Sequence, residues 1–293
     1  MSTGALRHAD DEPTTRFRFS IRAEPLRLRN SEPHVYGYAW RHPEPRASVV
    51  LVHGLQSHSQ WFAEAADLLL DRGLSVYTVD RRGSGASPAT RGDIGRYTEW
   101  FAEVADVVRL AQAEQPDAPV HLVGHCFGAN VALGCALTQP VEVRSLSMLT
   151  PGFYVLPDYS RAEKLRILAA GLRPSSRARF RVPQDDELFT RDADVLAWIR
   201  ADSLGARTLT GHCLLEINGM VKWLRRNARR LDIPLLVFEG TRDRISDNLR
   251  NRALLDGALG SRVRWVSLDA EHFLLAEPCR DEVLDRLTRW VSE

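Results

Sequence analysis

The chain has 293 residues, 44% of them hydrophobic and 26% charged, with a formal net charge of +1. That length accommodates one large α/β domain with an insertion, or two small domains, and the composition is that of a globular chain rather than a disordered or membrane-embedded one. So balanced a charge implies no nucleic-acid partner. Residues 1 to 15 read as a loose arm without the apolar core of a secretory signal, and no later stretch is apolar enough to span a bilayer, so a cytoplasmic location is expected. Phe17 to Ala23 and His34 to Trp40 alternate and predict an antiparallel pair of strands. Ala47 to His53 is a β-branched run suited to a buried parallel strand; Gln60 to Arg72, apolar at Phe62, Ala65, Ala66 and Leu69 and stopped by Gly73, is a helix. Further strands are predicted over Leu74 to Val79, Pro119 to Val123, Ser145 to Leu149, Pro234 to Glu239 and Val263 to Leu268. Helices are predicted over Tyr97 to Glu114, Asn248 to Leu259 and Asp281 to Val291. Such alternation is the mark of a mostly parallel sheet with helices on both faces, an α/β fold.

Residues 155 to about 231 break the pattern, with helical periodicity at Arg161 to Gly171, Asp192 to Leu204 and Thr208 to Arg230 and no convincing strand. The expected organisation is a core of residues 1–154 and 232–293 and a helical cap over residues 155–231, set across the edge where open α/β folds bind ligands. Phe153, Tyr154, Phe189, Trp198 and Trp223 are the expected apolar lining beneath that cap. Arg225, Arg226, Arg229 and Arg230 read as a solvated helix face, with a carrier protein or a phosphate as the alternative contact.

The stretch that carries chemistry is Gly124-His125-Cys126-Phe127-Gly128, a Gly-x-nucleophile-x-Gly pentapeptide between an apolar strand and an apolar helix. A strand turning so sharply into a helix lifts one side chain to the helix N-terminus, and the flanking glycines remove the side chains that would collide there. Here the lifted group is a thiol, and a helix N-terminus stabilises its thiolate. A thiol nucleophile needs a base and a carboxylate to orient that base. His272 follows the strand Val263 to Leu268 and Asp243 follows the strand Pro234 to Glu239, giving the chain order nucleophile, acid, histidine. Asp269 is the nearest competitor for the acid, with Asp247 and Asp80 behind it. The oxyanion of acyl transfer calls for two backbone donors, expected at the amides of Phe127 and of Leu55 in the loop His53-Gly54-Leu55-Gln56. His53 precedes that turn and is not expected to be the base. Cys126, Cys135, Cys213 and Cys279 include no Cys-x-x-Cys pair and no clustering with histidine, so free thiols are expected, with neither a metal nor a disulfide framework. Cys135 and Cys279 are expected to pack on helices.

Together His53-Gly54, Asp80-Arg81-Arg82-Gly83-Ser84-Gly85-Ala86-Ser87, the elbow, Asp243 and His272 resemble the α/β-hydrolase superfamily, and within it the monoglyceride lipase or lysophospholipase-like branch. The resemblance runs from about Ala47 to the C-terminus. It implies an eight-stranded sheet, a lid, and hydrolysis or transfer of an acyl group without metal or organic cofactor. Cys126 departs from the serine of that branch and resembles dienelactone hydrolases and certain chain-releasing thioesterases. The expected activity is hydrolysis of a small-molecule ester or thioester through a Cys126-His272-Asp243 triad. The alternatives are acyl transfer or cyclisation in natural-product biosynthesis, with the substrate free or carrier-bound, and a non-catalytic small-molecule receptor on the same fold.

Overall fold

The computed structural model describes residues 21–28, 35–173 and 176–293. Its centre is an eight-stranded sheet in the order β1-β2-β4-β3-β5-β6-β9-β10. The strands are β1 (Glu24–Leu28), β2 (Val35–Trp40), β3 (Ala47–Val52), β4 (Leu74–Val79), β5 (Val120–His125), β6 (Ser145–Leu149), β9 (Leu235–Gly240) and β10 (Val263–Leu268). From β4 through β10 all neighbours pair in parallel, and β2 joins β1 and β4 antiparallel. β3, β4 and β5 are buried at every residue, which explains their near-continuous apolar runs.

Side-chain alternation along β3 sorts the core into two layers. Val50 and Val52 join the layer formed with α2 (Tyr97–Glu114), α3 (Phe127–Thr138) and α7 (Asn248–Leu259). Val49 and Leu51 join the opposite layer, with α1 (Ala63–Asp71) and α8 (Arg280–Ser292).

Most predicted elements recur within a residue or two, with two differences. The first strand is Glu24–Leu28 rather than Phe17 to Ala23: residues 17–20 and His34 lie outside the described residues, Ile21 and Arg22 form a turn, and pairing begins at Glu24↔Ala39. Pro25 is tolerated because β1 is the edge strand. The expected arm of residues 1 to 15 also lies outside the described residues.

Residues 155–231 contain α4 (Arg161–Gly171), α5 (Ala193–Ala201) and α6 (Gly211–Asn227), but also two strands, β7 (Arg179–Arg181) and β8 (Thr208–Thr210), paired antiparallel. Three-residue strands are too short to show a period of two, so periodicity missed them. The helix expected from Thr208 starts only at Gly211, because Thr210 is its N-cap and its side chain accepts from the amide of Cys213 at 3.1 Å. Cys135 is buried on α3, whereas Cys279 is half-buried at the N-cap of α8.

Candidate active site

Because the sheet is parallel where it matters, the carboxyl ends of β3, β5, β9 and β10 lie along one edge, and the loops leaving them carry Leu55, Cys126, Asp243 and His272. Cys126 joins β5 directly to α3 with φ 54° and ψ −117°, a left-handed backbone that costs a non-glycine residue energy. Its amide donates to the carbonyl of Leu149 at 2.9 Å, and its own carbonyl accepts from Ala129 at 3.1 Å and Gly152 at 3.2 Å, so the strained turn is held from both sides. A Cβ on Gly128 would stand 2.0 Å from the carbonyl oxygen of Val52, and one on Gly124 2.5 Å from the backbone of Ala129. Gly128→Ala is therefore expected to destabilise the fold by at least about 2 kcal/mol, even though alanine favours helix by about 1 kcal/mol, since the obstacle is backbone. A urea denaturation midpoint equal to that of the wild type would show that the elbow can widen.

Asp243 and His272 form a buried pair, Nδ1 of the imidazole lying 2.8 Å from Oδ2 of the carboxylate. The other carboxylate oxygen accepts from the amides of Ile245 at 2.7 Å and Ser246 at 2.9 Å, which fixes the group in its loop. Burial opposes ionisation of Asp243, yet the imidazole and these amides outweigh it and hold its pKa below the usual carboxylate value. Burial likewise opposes protonation of His272, but the Asp243 carboxylate and then the Cys126 sulfur reverse this and push its pKa up to about 10. The His272 ring packs between His125 at 5.1 Å and Phe189 at 5.7 Å. Its carbonyl accepts from the hydroxyl of Thr150, a second non-glycine residue with positive φ, at 3.1 Å.

The competing acids are engaged elsewhere. Asp269 is paired with Arg242 at the surface, Asp247 caps α7, and Asp80 accepts from the amides of Ser59 and Ala86.

The loop after β3 lies against the elbow: a Cβ on Gly54 would stand 3.5 Å from the Cβ of Cys126. The buried Arg81 guanidinium donates to the carbonyls of His53 at 3.0 Å and Gly54 at 2.6 Å, and sits over the rings of Phe127 and Trp100. Because a peptide unit is planar and trans, turning the Gly54 carbonyl toward Arg81 turns the Leu55 N–H away from it. Among the described residues neither the Leu55 nor the Phe127 amide has a backbone acceptor. Burial, then Arg81, drive the pKa of His53 well below the usual histidine value, and its Nε2 accepts from the Arg81 amide at 3.3 Å. His53 is thus part of the loop's support. Sequence reasoning quoted Arg81 within its motif without marking it; only a guanidinium folded back onto two carbonyls distinguishes it from the neighbouring Arg82, which pairs with Glu99 and Glu103. His125 and Thr150 were equally unmarked.

A cavity of about 630 Å³ is lined by Leu55, Cys126 and Phe127 together with residues of α4 and α6, including Ile167, Leu214 and Val221. Phe153 and Tyr154 line it. Trp198 and Trp223 are not among its lining: Trp198 packs edge-on against Trp61 at 5.3 Å, and Trp223 against the core layer beneath α6. Both indoles serve packing of the helices onto the sheet rather than the cavity wall. Phe189 touches the His272 ring instead of the wall.

Sheet order, elbow and the strand-end loops together define an α/β-hydrolase. Residues 43–278 match the family described as serine aminopeptidase, S33, and the chain belongs to that family. It is 26% identical over 255 residues to a monoacylglycerol lipase of Mycolicibacterium smegmatis, an alignment covering 85% of this chain and 89% of the relative. With the monoglyceride lipase of Mus musculus it shares 25% identity over 259 residues, 85% of this chain and 83% of the relative. A soluble variant of the Saccharomyces cerevisiae monoglyceride lipase, solved with a substrate analogue, superposes with a TM-score of 0.80 at 17% identity, covering 96% of this chain and 98% of that one. The chain is accordingly an ester-hydrolysing α/β-hydrolase of the monoglyceride-lipase-like branch. No helix among the described residues is long and apolar enough to cross a membrane.

Proposed function

We propose that the protein hydrolyses a lipid or small-molecule ester or thioester through a covalent acyl-enzyme on Cys126, beneath a cap formed by residues 155–231. The observation that carries this reading is the buried Asp243–His272 hydrogen bond of 2.8 Å, at the same sheet edge as the strained Cys126 turn. Nε2 of His272 takes the thiol proton, and the resulting thiolate attacks the substrate carbonyl. Negative charge moves onto the carbonyl oxygen, where the Leu55 and Phe127 amides receive it. The tetrahedral species collapses, the imidazolium gives its proton to the leaving oxygen or sulfur, and a thioester to Cys126 remains. Water, deprotonated by the now neutral imidazole, attacks that thioester and releases the acid and the thiol. Asp243 keeps the imidazole oriented and offsets its charge throughout.

Acyl transfer or cyclisation is the second reading, favoured by the thiol itself, since a thioester intermediate is more reactive toward amines than an oxygen ester. A carrier-bound substrate would belong to that reading. The lipase relatives weigh against a non-catalytic receptor.

Intact mass spectrometry after incubation with a short acyl thioester tests the acyl-enzyme. One acyl adduct mapping to Cys126 is expected; an adduct-free enzyme that turns the substrate over, or an adduct on another residue, overturns the assignment. Free acid as sole product in the presence of amine acceptors removes the transfer reading.

A further inference from the structure

We propose that the same cavity contains an anion-binding subsite formed by Arg225, Arg250 and Tyr154, and that the natural ester or thioester carries a carboxylate or phosphate that docks there; this rests on the reading of Cys126 as the acylated residue. All three residues line the cavity that Cys126 lines. Both guanidinium carbons lie over the Tyr154 ring, 3.7 Å from its centroid for Arg225 and 4.0 Å for Arg250. Two like charges are thus gathered around one aromatic ring, an arrangement that an anion would neutralise.

The local partners do not neutralise it. Arg225 directs Nε and Nη2 to a single acceptor, the carbonyl of Phe153, and has no carboxylate partner among the described residues. Among the described residues the carboxylate paired with Arg250 is that of Asp247, 4.0 Å away, and its other oxygen accepts from the Arg250 amide at the start of α7. The remaining charges on the cavity wall, Asp158 and Lys164, pair with each other. Several other arginines do meet a carboxylate closely, as Arg41 with Glu114 at 2.8 Å and Arg72 with Asp285 at 2.8 Å.

The platform is also firmly held. The Tyr154 amide donates to Oδ1 of Asn251 at 2.8 Å, and its carbonyl accepts from the Asp247 amide at 3.0 Å and from Asn251 Nδ2 at 3.1 Å. Arg225 comes from α6 in the inserted segment and Arg250 from α7 in the core, so an anion between them would also tie the two together. Arg225 is half-buried on the cavity wall, which separates it from the solvated helix face that its sequence neighbours suggested.

Two substrate pairs test the proposal and locate the anion. p-Nitrophenyl hexanoate against the mono-p-nitrophenyl ester of adipic acid puts a carboxylate on the acyl side. Hexanoyl-N-acetylcysteamine against hexanoyl-coenzyme A puts phosphates on the leaving group. In at least one pair, kcat/KM is expected to favour the anionic member by about tenfold or more, as charge-assisted hydrogen bonds do. That ratio should fall by about tenfold in Arg225→Gln and in Arg250→Gln and recover partly in Arg225→Lys. Taking the ratio within one enzyme preparation cancels any loss of folded protein, so a purely structural role for Arg225 would not move it. If neither anionic substrate is preferred, or the preference survives in both glutamine variants, while Cys126 is still acylated, the subsite alone is overturned. If no substrate acylates Cys126, the catalytic reading falls and the subsite with it.

Discussion

Cys126→Ala is expected to lower kcat/KM on esters and thioesters by at least about 10,000-fold, because the covalent path is lost and only transition-state contacts from the backbone amides and the cavity remain. The fold should persist. Cys126 is only half-buried, the turn is held by the hydrogen bonds of Leu149, Ala129 and Gly152, and alanine occupies no more space than the thiol. The measurement is steady-state kinetics alongside thermal unfolding. A folded variant that keeps more than about a hundredth of the wild-type kcat/KM would remove Cys126 from the mechanism, since a bystander thiol costs far less than a nucleophile.

The second large effect is expected at Asp243→Asn, with kcat falling roughly 1,000- to 10,000-fold. An amide at that position can present N–H where the imidazole needs an acceptor, which favours the wrong tautomer. It also removes the leading electrostatic contribution that lifts His272 to about 10. The alkaline limb of the kcat/KM profile, where His272 loses the proton destined for the leaving group, should therefore lie near that value in the wild type and move to lower pH in the variant. Stability shifts in the matching sense. A folded-state pKa raised above the usual histidine value contributes stability that is fully present below that usual value and is lost as pH rises toward about 10. Asp243, held low in the folded state, contributes stability above the usual carboxylate value that is lost on acidification. Asp243→Asn should flatten both limbs. An alkaline limb that does not move would show that Asp243 does not govern the imidazole.

Geometry around the elbow explains why the chain tolerates strain there. Cys126 and Thr150, both non-glycine with positive φ, lie on adjacent strand ends, and each is held by hydrogen bonds: the Cys126 amide to Leu149, the Thr150 amide to Phe238, and the Thr150 hydroxyl to the carbonyl of His272. The segment Leu149–Thr150 thereby touches both loops, through the Leu149 carbonyl on the Cys126 side and the Thr150 hydroxyl on the His272 side.

The amino-acid sequence alone determined a mostly parallel sheet and the chain order of candidate nucleophile, acid and histidine. Buried parallel strands are read from runs such as Ala47–Val52, whose every side chain is apolar or small. The elbow is read from two glycines that steric contact with Val52 and Ala129 makes indispensable. The placement of Cys126, Asp243 and His272 at one edge was legible because each lies within four residues of a strand's carboxyl end, and in a parallel sheet strand ends converge whatever the intervening sequence does. Tertiary structure decided what depends on long-range side-chain direction. It turned Arg81 inward onto the carbonyls of His53 and Gly54, Trp198 away from the cavity onto Trp61, and Arg225 and Arg250, from separate segments, onto one tyrosine ring. Local patterns carry the period of a helix or strand, but the charges and rings that meet across distant loops have no period, and only the folded chain brings them together.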